Sequence, residues 1–350
     1  MSVIERIPTV SAKTPPNDTL IKNAWYVAAW SNELTQSLLA RRIVDEPLVM
    51  YRTAAGQAVA FADRCPHRRY PLSKGRLIGD RLECGYHGFT FDPSGTCVAV
   101  PGQSRVPGSA NVRSYPLVEK QGAVWVWPGD PALADASRIP EHPWVTDWWS
   151  ITGRAYLKGR AMLLIDNLMD LSHETYLHGN NIGSREVAET PIEAESDGSV
   201  VRVTRRMLGV ECPPLYQQTT GLQTPIDRSQ EIAFYAPCLY VLSIRVAAAG
   251  DTGPGYRSKV LYAITPETAR TTHDFWAICN AARDRDDHSV DQMMIDKHNG
   301  VVKEDLDALE ALEAFIVTEE DGAPEVSLGI DRGGLLARRV MADLARAELG

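Results

Sequence analysis

Two cysteines and two histidines in the stretch CPHRRYPLSKGRLIGDRLECGYHGF, residues 65–89, constrain this chain more than any other feature of its sequence. Cys65 and His67 form a C-x-H arm, Cys84 and His87 form a C-x-x-H arm, and sixteen residues separate the two arms. Thiolate and imidazole groups at such spacing suit a metal ion, which requires the two arms to fold as neighbouring loops. The sequence therefore predicts a metal centre held between two loops.

The order of these ligands separates two kinds of metal centre. Common zinc sites pair Cys with Cys and His with His, whereas each arm here contains one of each. That arrangement favours a two-iron cluster in which one iron takes both thiolates and the other takes both imidazoles. Neutral imidazoles raise the reduction potential relative to an all-cysteine cluster. We interpret the stretch as an electron-transfer site, with structural zinc as the alternative.

The composition argues against several other classes of protein. With 350 residues, 44% of them apolar, the chain is long enough for two domains with their own cores. A formal net charge of −9 without a basic block argues against a nucleic-acid partner. No apolar run reaches the roughly 18 residues of a membrane span, and no signal peptide is recognised. The six cysteines are unevenly placed, so we expect free thiols and a cytoplasmic protein.

Patterns along the chain predict two domains preceded by a tail. Residues 1–20 are rich in proline and threonine and are predicted to form a mobile tail. Short β-like runs separated by Gly, Pro and Asp predict an all-β domain over residues 21–131, with a hairpin turn at DPSG. Residues 132–350 are predicted to form an α+β domain, because alternating runs near 199–281 indicate a second sheet beside helical patterns.

A second group of possible ligands lies in AMLLIDNLMDLSHETYLHGNN, residues 161–181. The apolar periodicity predicts one helix, on which Asp166, Asp170 and His173 fall on one side. His178 follows His173 by five residues, which requires a distorted turn if both are ligands. A single histidine is usually structural, but two histidines behind an aligned acid on an apolar helix indicate a metal site.

The third ligand of such a site is expected from a helix predicted over residues 301–317. A two-histidine iron site needs a carboxylate, which leaves positions open for oxygen and substrate. Of the five acids in this helix, only Asp305 projects onto the centre of the apolar side, where an unpaired charge is costly. A buried salt bridge is the alternative. His298 lies near the same side if the helix begins before Gly300, where it is expected to be a packing residue, with a rival ligand or a substrate contact as the alternatives.

Together these motifs resemble those of a known family. CPHR and CGYHGFTFD resemble the ligand loops of Rieske iron–sulfur domains, and N-x-x-D-x-x-H-x-x-x-x-H at residues 167–178 follows them in the order typical of Rieske non-haem iron oxygenases. NAWYVAAW, KEDLDALE and IDRGGLLARRV are most similar to the vanillate O-demethylase oxygenase group. The resemblance extends over nearly the whole chain from about Leu20.

The resemblance implies an N-terminal all-β Rieske [2Fe-2S] domain. Cys65 and Cys84 would bind one iron of its cluster, and His67 and His87 would bind the other. Gly85 and Gly88 fit a tight loop around the cluster, or simply form turns.

The resemblance also implies a C-terminal α+β catalytic domain with a central antiparallel sheet and a mononuclear Fe(II). The implied ligands of this iron are His173, His178 and Asp305. Family members are typically homotrimers in which the cluster of one subunit lies beside the mononuclear iron of the next. Asp170 would then connect His173 to His87 of the adjacent subunit, and Asn167 would lie close to the iron.

The expected activity follows from the same resemblance. A separate reductase with flavin and an iron–sulfur cluster would take electrons from NADH and pass them to the Rieske cluster. With O2 as co-substrate, the protein would O-demethylate a small methoxylated aromatic acid such as vanillate to a phenol and formaldehyde. The alternatives are hydroxylation of a methyl or ring carbon of an aryl sulfonate or carboxylate, a pure electron carrier, and a zinc-stabilised binding protein.

Residues that contact the substrate are harder to predict. Arg245, Tyr235 and Tyr240 are candidates, because they lie in a strand-like region expected to line the pocket. Arg69 and Tyr70 depart from the small residues common after CPHR, and their bulk beside the cluster is expected to alter reductase docking or the subunit contact.

Overall fold

The computed structural model describes residues 19–179, 182–319 and 325–349. The predicted mobile tail, apart from its last two residues, lies outside the described residues. The described strands are β1 (Tyr26–Trp30), β2 (Leu39–Ile43), β3 (Glu46–Arg52), β4 (Ala58–Ala62), β5 (Arg76–Ile78), β6 (Arg81–Glu83), β7 (Thr90–Phe91), β8 (Cys97–Ala99), β9 (Leu117–Lys120), β10 (Ala123–Val126), β11 (Trp149–Leu157), β12 (Glu193–Ser196), β13 (Val200–Val210), β14 (Ile226–Tyr235), β15 (Leu239–Ala248), β16 (Tyr256–Thr268) and β17 (Thr271–Asn280). The α-helices are α1 (Trp144–Asp147), α2 (Ala161–Met169), α3 (Glu174–Leu177), α4 (Arg185–Glu189), α5 (Pro214–Thr220), α6 (Asp291–Ile316) and α7 (Arg332–Leu349).

Three small antiparallel sheets form the N-terminal part of the molecule. Their strand orders are β1-β10-β9, β2-β3-β4 and β5-β6-β7-β8. The hairpin predicted at DPSG joins β7 to β8, and its turn is closed by the Gly95 N–H, which donates to the Asp92 carbonyl. Gly95 has a φ of +86°, which favours glycine at this position. The all-β character predicted for this part is confirmed.

A seven-stranded antiparallel sheet forms the centre of the C-terminal part, in the order β11-β17-β16-β15-β14-β13-β12. Its side chains alternate between two cores, as the period of a strand requires. In β17, Phe275 and Ala277 pack towards the N-terminal sheets, whereas Trp276 and Ile278 pack into the core beneath the helices. The predicted second sheet is confirmed, with β11 and β12 added from earlier in the chain.

The first of these cores joins the N-terminal and C-terminal parts. It runs without a break from Trp25 and Trp125 to Leu261 and Phe275. Backbone groups are also shared, since the Thr265 hydroxyl donates to the Val27 carbonyl. Because one core serves both parts, the domain boundary at residues 131 and 132 stays a prediction.

Helices α2, α6 and α7 cover the opposite face of the large sheet. The helix predicted over residues 301–317 begins earlier, at Asp291, and passes through Gly300 without interruption. Both Asp305 and His298 are buried on its inner side, as their projection predicted. Glu313 is buried as well, which the projection did not predict, because it forms an ion pair with Arg160 at 2.8 Å.

The prediction of one helix over residues 161–181 is wrong. Helix α2 ends at Met169, and Asp170 has extended backbone angles, φ −124° and ψ 98°. The Asp170 carboxylate accepts a hydrogen bond from the Ser172 N–H and so caps a short 3-10 turn, Leu171–His173, which leads into α3. Aspartate commonly competes with a helix in this way, since its side chain binds nearby backbone N–H groups.

The break changes the neighbours of Asp166. Its two carboxylate oxygens accept hydrogen bonds from Arg338 Nε of α7, at 3.0 and 2.9 Å. Asp166 therefore fixes α7 against α2, and it does not share a metal-binding side with His173 as the helical projection predicted.

Free cysteines are confirmed, because all six thiols are buried and unpaired with one another as disulfides. Among the described helices, none is long and apolar enough to cross a membrane.

The pair formed by Gly153 in β11 and Trp276 in β17 gives a test of this packing. The two residues lie opposite each other in the sheet, and a Cβ on Gly153 would overlap the buried indole. We expect Gly153→Ala to lower the free energy of unfolding by about 1–3 kcal/mol and the Tm by several degrees. Thermal unfolding followed by circular dichroism measures the effect.

Gly300→Ala is the matched control, because a Cβ at this position of α6 would meet open space. Alanine there is expected to leave the Tm unchanged or raise it, since glycine is a poor helix former. Equal melting temperatures for Gly153→Ala and the unmodified protein would contradict the packing described here.

Candidate metal centres and active site

Three side chains from separate segments converge between the large sheet and its helices. The Nε2 atoms of His178 and His173 lie 3.2 and 3.5 Å from one oxygen, Oδ1, of Asp305. All three potential ligand atoms lie within 4.8 Å of one another. Two imidazoles and one carboxylate on one side of a metal ion make a facial triad. The residues predicted as ligands are therefore brought together by the fold.

The other nitrogen of each imidazole is held by an oxygen acceptor. His173 Nδ1 lies 2.6 Å from the Asp170 backbone carbonyl, and His178 Nδ1 lies 2.6 Å from Glu304 Oε2. With its proton on Nδ1, each imidazole presents the Nε2 lone pair towards Asp305. This is the tautomer that a metal ligand requires.

The charges around His178 favour a cation at this point. Burial by itself lowers the pKa of His178, but hydrogen bonds and negative charge from Asp305 and Glu304 outweigh it and raise the pKa. Asp305 is 6% exposed, so its charge is largely withdrawn from water. A buried carboxylate is costly unless a positive charge compensates it. The donor set, its geometry and its charge all fit a divalent metal ion.

Asn167 and Asp170 stand on either side of this triad. The Asn167 side-chain amide donates to Asp305 Oδ1 at 3.0 Å and so fixes the carboxylate. Asp170 contacts His173 through its backbone carbonyl rather than through its carboxylate, which differs from the expected contact. The carboxylate instead accepts hydrogen bonds from the N–H and hydroxyl of Ser172.

A buried ion pair supports the segment that contains both histidines, and sequence patterns gave no sign of it. Glu174 accepts hydrogen bonds from Arg228 Nη2 at 2.9 Å and from the Gln230 amide at 2.9 Å. Arg228 also donates to the Ile182 carbonyl, which lies beyond His178. Both charged side chains are almost fully buried. The pair ties α3 and the following turn to strand β14.

The candidate cluster residues lie on two loops, between β4 and β5 and between β6 and β7. The Cys65 and Cys84 thiols are buried and adjacent, and burial together with the neighbouring thiol raises the pKa of Cys65 to about 11. His67 and His87 are exposed, with ring centroids 4.6 Å apart. Two inner thiols and two outer imidazoles fit a two-iron cluster with one pair on each iron.

The two loops share a turn geometry that explains an unusual arginine. In each loop the fourth residue after the cysteine donates its N–H to the cysteine carbonyl, Arg69 to Cys65 and Gly88 to Cys84. Both residues have a left-handed φ, +61° for Arg69 and +71° for Gly88. Glycine adopts this conformation freely, whereas arginine is strained in it. Arg69 therefore occupies the position that Gly88 occupies in the second loop.

A mostly apolar pocket opens onto the triad. Its empty space is about 970 Å³ including the open mouth, which suits a small organic molecule. Tyr240, predicted as a substrate contact, lines it, and so does His298. Arg245 and Tyr235 do not line it, so these two predictions are wrong. Arg245 donates to backbone carbonyls of a neighbouring turn, and Tyr235 packs into the core shared with the N-terminal sheets.

Comparison with protein families identifies this arrangement. The Rieske [2Fe-2S] domain model matches residues 24–116, and the vanillate O-demethylase oxygenase C-terminal domain model matches residues 157–347. The chain belongs to the vanillate O-demethylase oxygenase family. The family predicted from the motifs is thereby confirmed.

Individual relatives of this oxygenase match along almost their whole length. A vanillate O-demethylase oxygenase subunit of Pseudomonas sp. (strain HR199 / DSM 7063) is 36% identical, covering 93% of this chain and 95% of the relative. The toluene-4-sulfonate monooxygenase iron-sulfur subunit TsaM1 of Comamonas testosteroni is 33% identical, covering 94% of this chain and 98% of the relative. The crystal structure of dicamba monooxygenase bound to 3,6-dichlorosalicylic acid matches with a TM-score of 0.91 at 33% identity, covering 95% and 99%.

Family membership confirms the fold class, the cofactors and the class of enzyme. The protein is an aromatic monooxygenase of the Rieske type, with a [2Fe-2S] cluster, a mononuclear iron and O2 as co-substrate. As the oxygenase component of a multi-component system, it works with a reductase.

Glu304 was missed by the sequence analysis, because its projection placed it away from the apolar side of α6. Its hydrogen bond to His178 predicts that Glu304→Gln weakens iron binding, since partners of ligand imidazoles typically contribute about 10–100-fold to metal affinity or activity. Iron retained after dialysis against a chelator, measured by atomic absorption, checks this. Asp307→Asn, at an exposed position of the same helix, is the control. Equal iron retention in both variants would contradict the role of Glu304.

Proposed function

We propose that this oxygenase O-demethylates a methoxylated aromatic acid such as vanillate, releasing the phenol and formaldehyde with electrons from NADH. The observation that carries the proposal is the apolar pocket that opens directly onto the triad. Similarity to a vanillate O-demethylase oxygenase subunit supports the choice of substrate. A cytoplasmic location belongs to the same proposal, since NADH is supplied there.

The proposed ligands of the cluster are Cys65 and Cys84 on one iron and His67 and His87 on the other. The proposed ligands of the mononuclear iron are His173, His178 and Asp305. When bound, the iron supplies oxygen activation and the cluster supplies single electrons.

The protein's own residues then hold and orient these groups. Asn167 fixes the Asp305 carboxylate, and Glu304 fixes the tautomer and orientation of His178. Leu168, Leu171 and other apolar side chains of the pocket exclude water from the end where the substrate methoxy group would lie. The residues therefore restrict which carbon of the substrate reaches the metal site.

Electron transfer is proposed to cross between subunits of a homotrimer. Exposure of His67 and His87 supports this, because a neighbouring subunit can approach the imidazole side of the cluster. Asp170 is the proposed connection, since its backbone binds His173 while its half-buried carboxylate has further acceptor capacity. A flavin and iron–sulfur reductase is the proposed electron donor to the cluster.

Hydroxylation of a methyl or ring carbon is the second candidate. It is favoured by similarity to the toluene-4-sulfonate monooxygenase subunit, which is nearly as close as that to the vanillate relative. The same pocket and the same metal centres would serve both reactions. Only demethylation produces formaldehyde.

Formaldehyde release is therefore the deciding measurement. With a vanillate-type reductase and a panel of methoxybenzoates, we expect formaldehyde and oxidised NADH in nearly equal amounts for vanillate or a close analogue. Oxygen uptake and a hydroxylated product without formaldehyde would favour the second candidate instead. The same assay without added aromatic substrate measures uncoupled NADH oxidation.

The proposed connection through Asp170 predicts that the Asp170→Asn variant still contains the cluster and the mononuclear iron. Its turnover rate should fall by about 10–100-fold or more. Asparagine can still cap the turn at Ser172, so the fold should survive the loss of charge. Iron content, cluster absorbance and substrate-dependent oxygen uptake are measured together. Ser172→Ala is the control, because it removes the hydroxyl contact and keeps the carboxylate. Wild-type turnover in Asp170→Asn would exclude the connection.

A further inference from the structure

We propose that Lys297 binds the acid group of the substrate and makes this oxygenase selective for aromatic anions, whether carboxylates or sulfonates. The inference rests on the proposed function for the class of substrate, but it concerns one residue that neither the motifs nor the family assignment singles out. Lys297 lies on α6 and lines the pocket.

The first argument is that the pocket wall contains a positive charge with no acidic partner. Of the other charged residues that line the pocket, Glu174 is paired with Arg228, and Asp305 is surrounded by imidazoles. Lys297 Nζ has a different kind of partner, the side-chain carbonyl of Gln218, at 2.5 Å. An amide accepts a hydrogen bond without cancelling the charge. Among the described residues that line this pocket, Lys297 thus carries a positive charge that no carboxylate partner neutralises.

The second argument is the position of Lys297 relative to the triad. Lys297 and Asp305 are eight residues apart on one helix, which separates them by about 12 Å along its axis. His298 and Val301 line the pocket between them. A single aromatic ring with an acid group at one end and an alkyl group at the other matches such a span. The acid would lie towards Lys297, and the alkyl group would lie towards the triad.

The third argument is a pair of buried polar atoms in the pocket wall. His298 Nε2 and the Tyr240 hydroxyl have no hydrogen-bond partner, although both residues are at least nine-tenths buried. Unpaired buried polar groups are costly, so they are expected to bind polar atoms of the ligand. The aromatic rings of Trp276 and Tyr262 hold the His298 ring in place.

His298 contributes hydrogen bonding rather than charge. Burial lowers the pKa of His298 to about 4, in spite of the negative charge on Asp305. The imidazole is therefore neutral at physiological pH and can donate or accept one hydrogen bond at Nε2. Lys297 is left as the source of positive charge for an anion.

A merely structural role for Lys297 is the competing explanation. Its contact with Gln218 joins α6 to α5, whose Leu215 and Tyr216 also line the pocket, and loss of that contact would loosen the pocket for every ligand. An anchor for an anion would instead affect acids and leave neutral analogues unchanged. The difference between acid and neutral ligands therefore separates the two roles.

The test uses the holoenzyme with three probes, vanillate, its neutral amide, and the corresponding methoxylated benzenesulfonate. Dissociation constants are measured by calorimetry, and kcat and KM are measured by oxygen uptake. We expect the wild type to bind one or both anions at least about 10-fold more tightly than the amide. Lys297→Gln should remove most of that preference through Kd and KM, with the affinity for the amide unchanged.

Two further variants complete the design. Lys297→Arg keeps the charge and is expected to retain most of the preference for the anion. Lys303→Gln, an exposed lysine of the same helix whose side chain pairs with Asp307, should match the wild type in every measurement. Cluster absorbance, iron content and Tm confirm that each variant is folded and loaded.

The possible results distinguish this inference from the proposed function. Equal binding of acids and amide by the wild type, or a retained preference in Lys297→Gln, would overturn the anchor while leaving formaldehyde release to decide the reaction. Equal losses for acid and amide would assign Lys297 a structural role and likewise overturn the anchor. A preference for the sulfonate that Lys297→Gln abolishes, without formaldehyde from any methoxybenzoate, would support the anchor and exclude the demethylation.

Discussion

The buried carboxylate of Asp305 is the group on which the arrangement of this protein depends. Two imidazole nitrogens and one side-chain amide meet its Oδ1 atom from α2 and from the segment around α3. This arrangement withdraws a negative charge from water, which is costly unless a positive charge compensates it. The Asp305 carboxylate thus joins segments that are more than a hundred residues apart in the chain.

The two faces of the large sheet support different parts of the molecule. One face shares a core with the N-terminal sheets that carry the cluster loops, and the other face carries the pocket and the triad. Strand β17 serves both faces because its side chains alternate. The buried pair of Glu174 and Arg228 then links the histidine segment to this rigid support. Side chains fixed in this way could bind a metal ion with little rearrangement.

Much of this could be predicted from sequence, and the failures have definite physical causes. Cys65, His67, Cys84 and His87 stand out because ligand spacing within a loop is local. The helix at residues 161–181 was predicted too long, since an aspartate that caps its own turn looks the same in sequence as one within a helix. Neither Arg245 nor Tyr235 could be excluded, because the face of a strand that lines a pocket depends on packing with distant elements.

The sequence by itself determined the types of metal centre, the α+β organisation and the chain's family, because each depends on residue types at short, fixed spacings. Tertiary structure decided which acids serve the site. Asp166 pairs with Arg338, although its projection placed it beside His173. Glu313 pairs with Arg160 and Glu304 binds His178, although both project away from the apolar side of α6. The role of a carboxylate depends on the charge that faces it, and in a folded chain that charge usually comes from a residue far away in sequence.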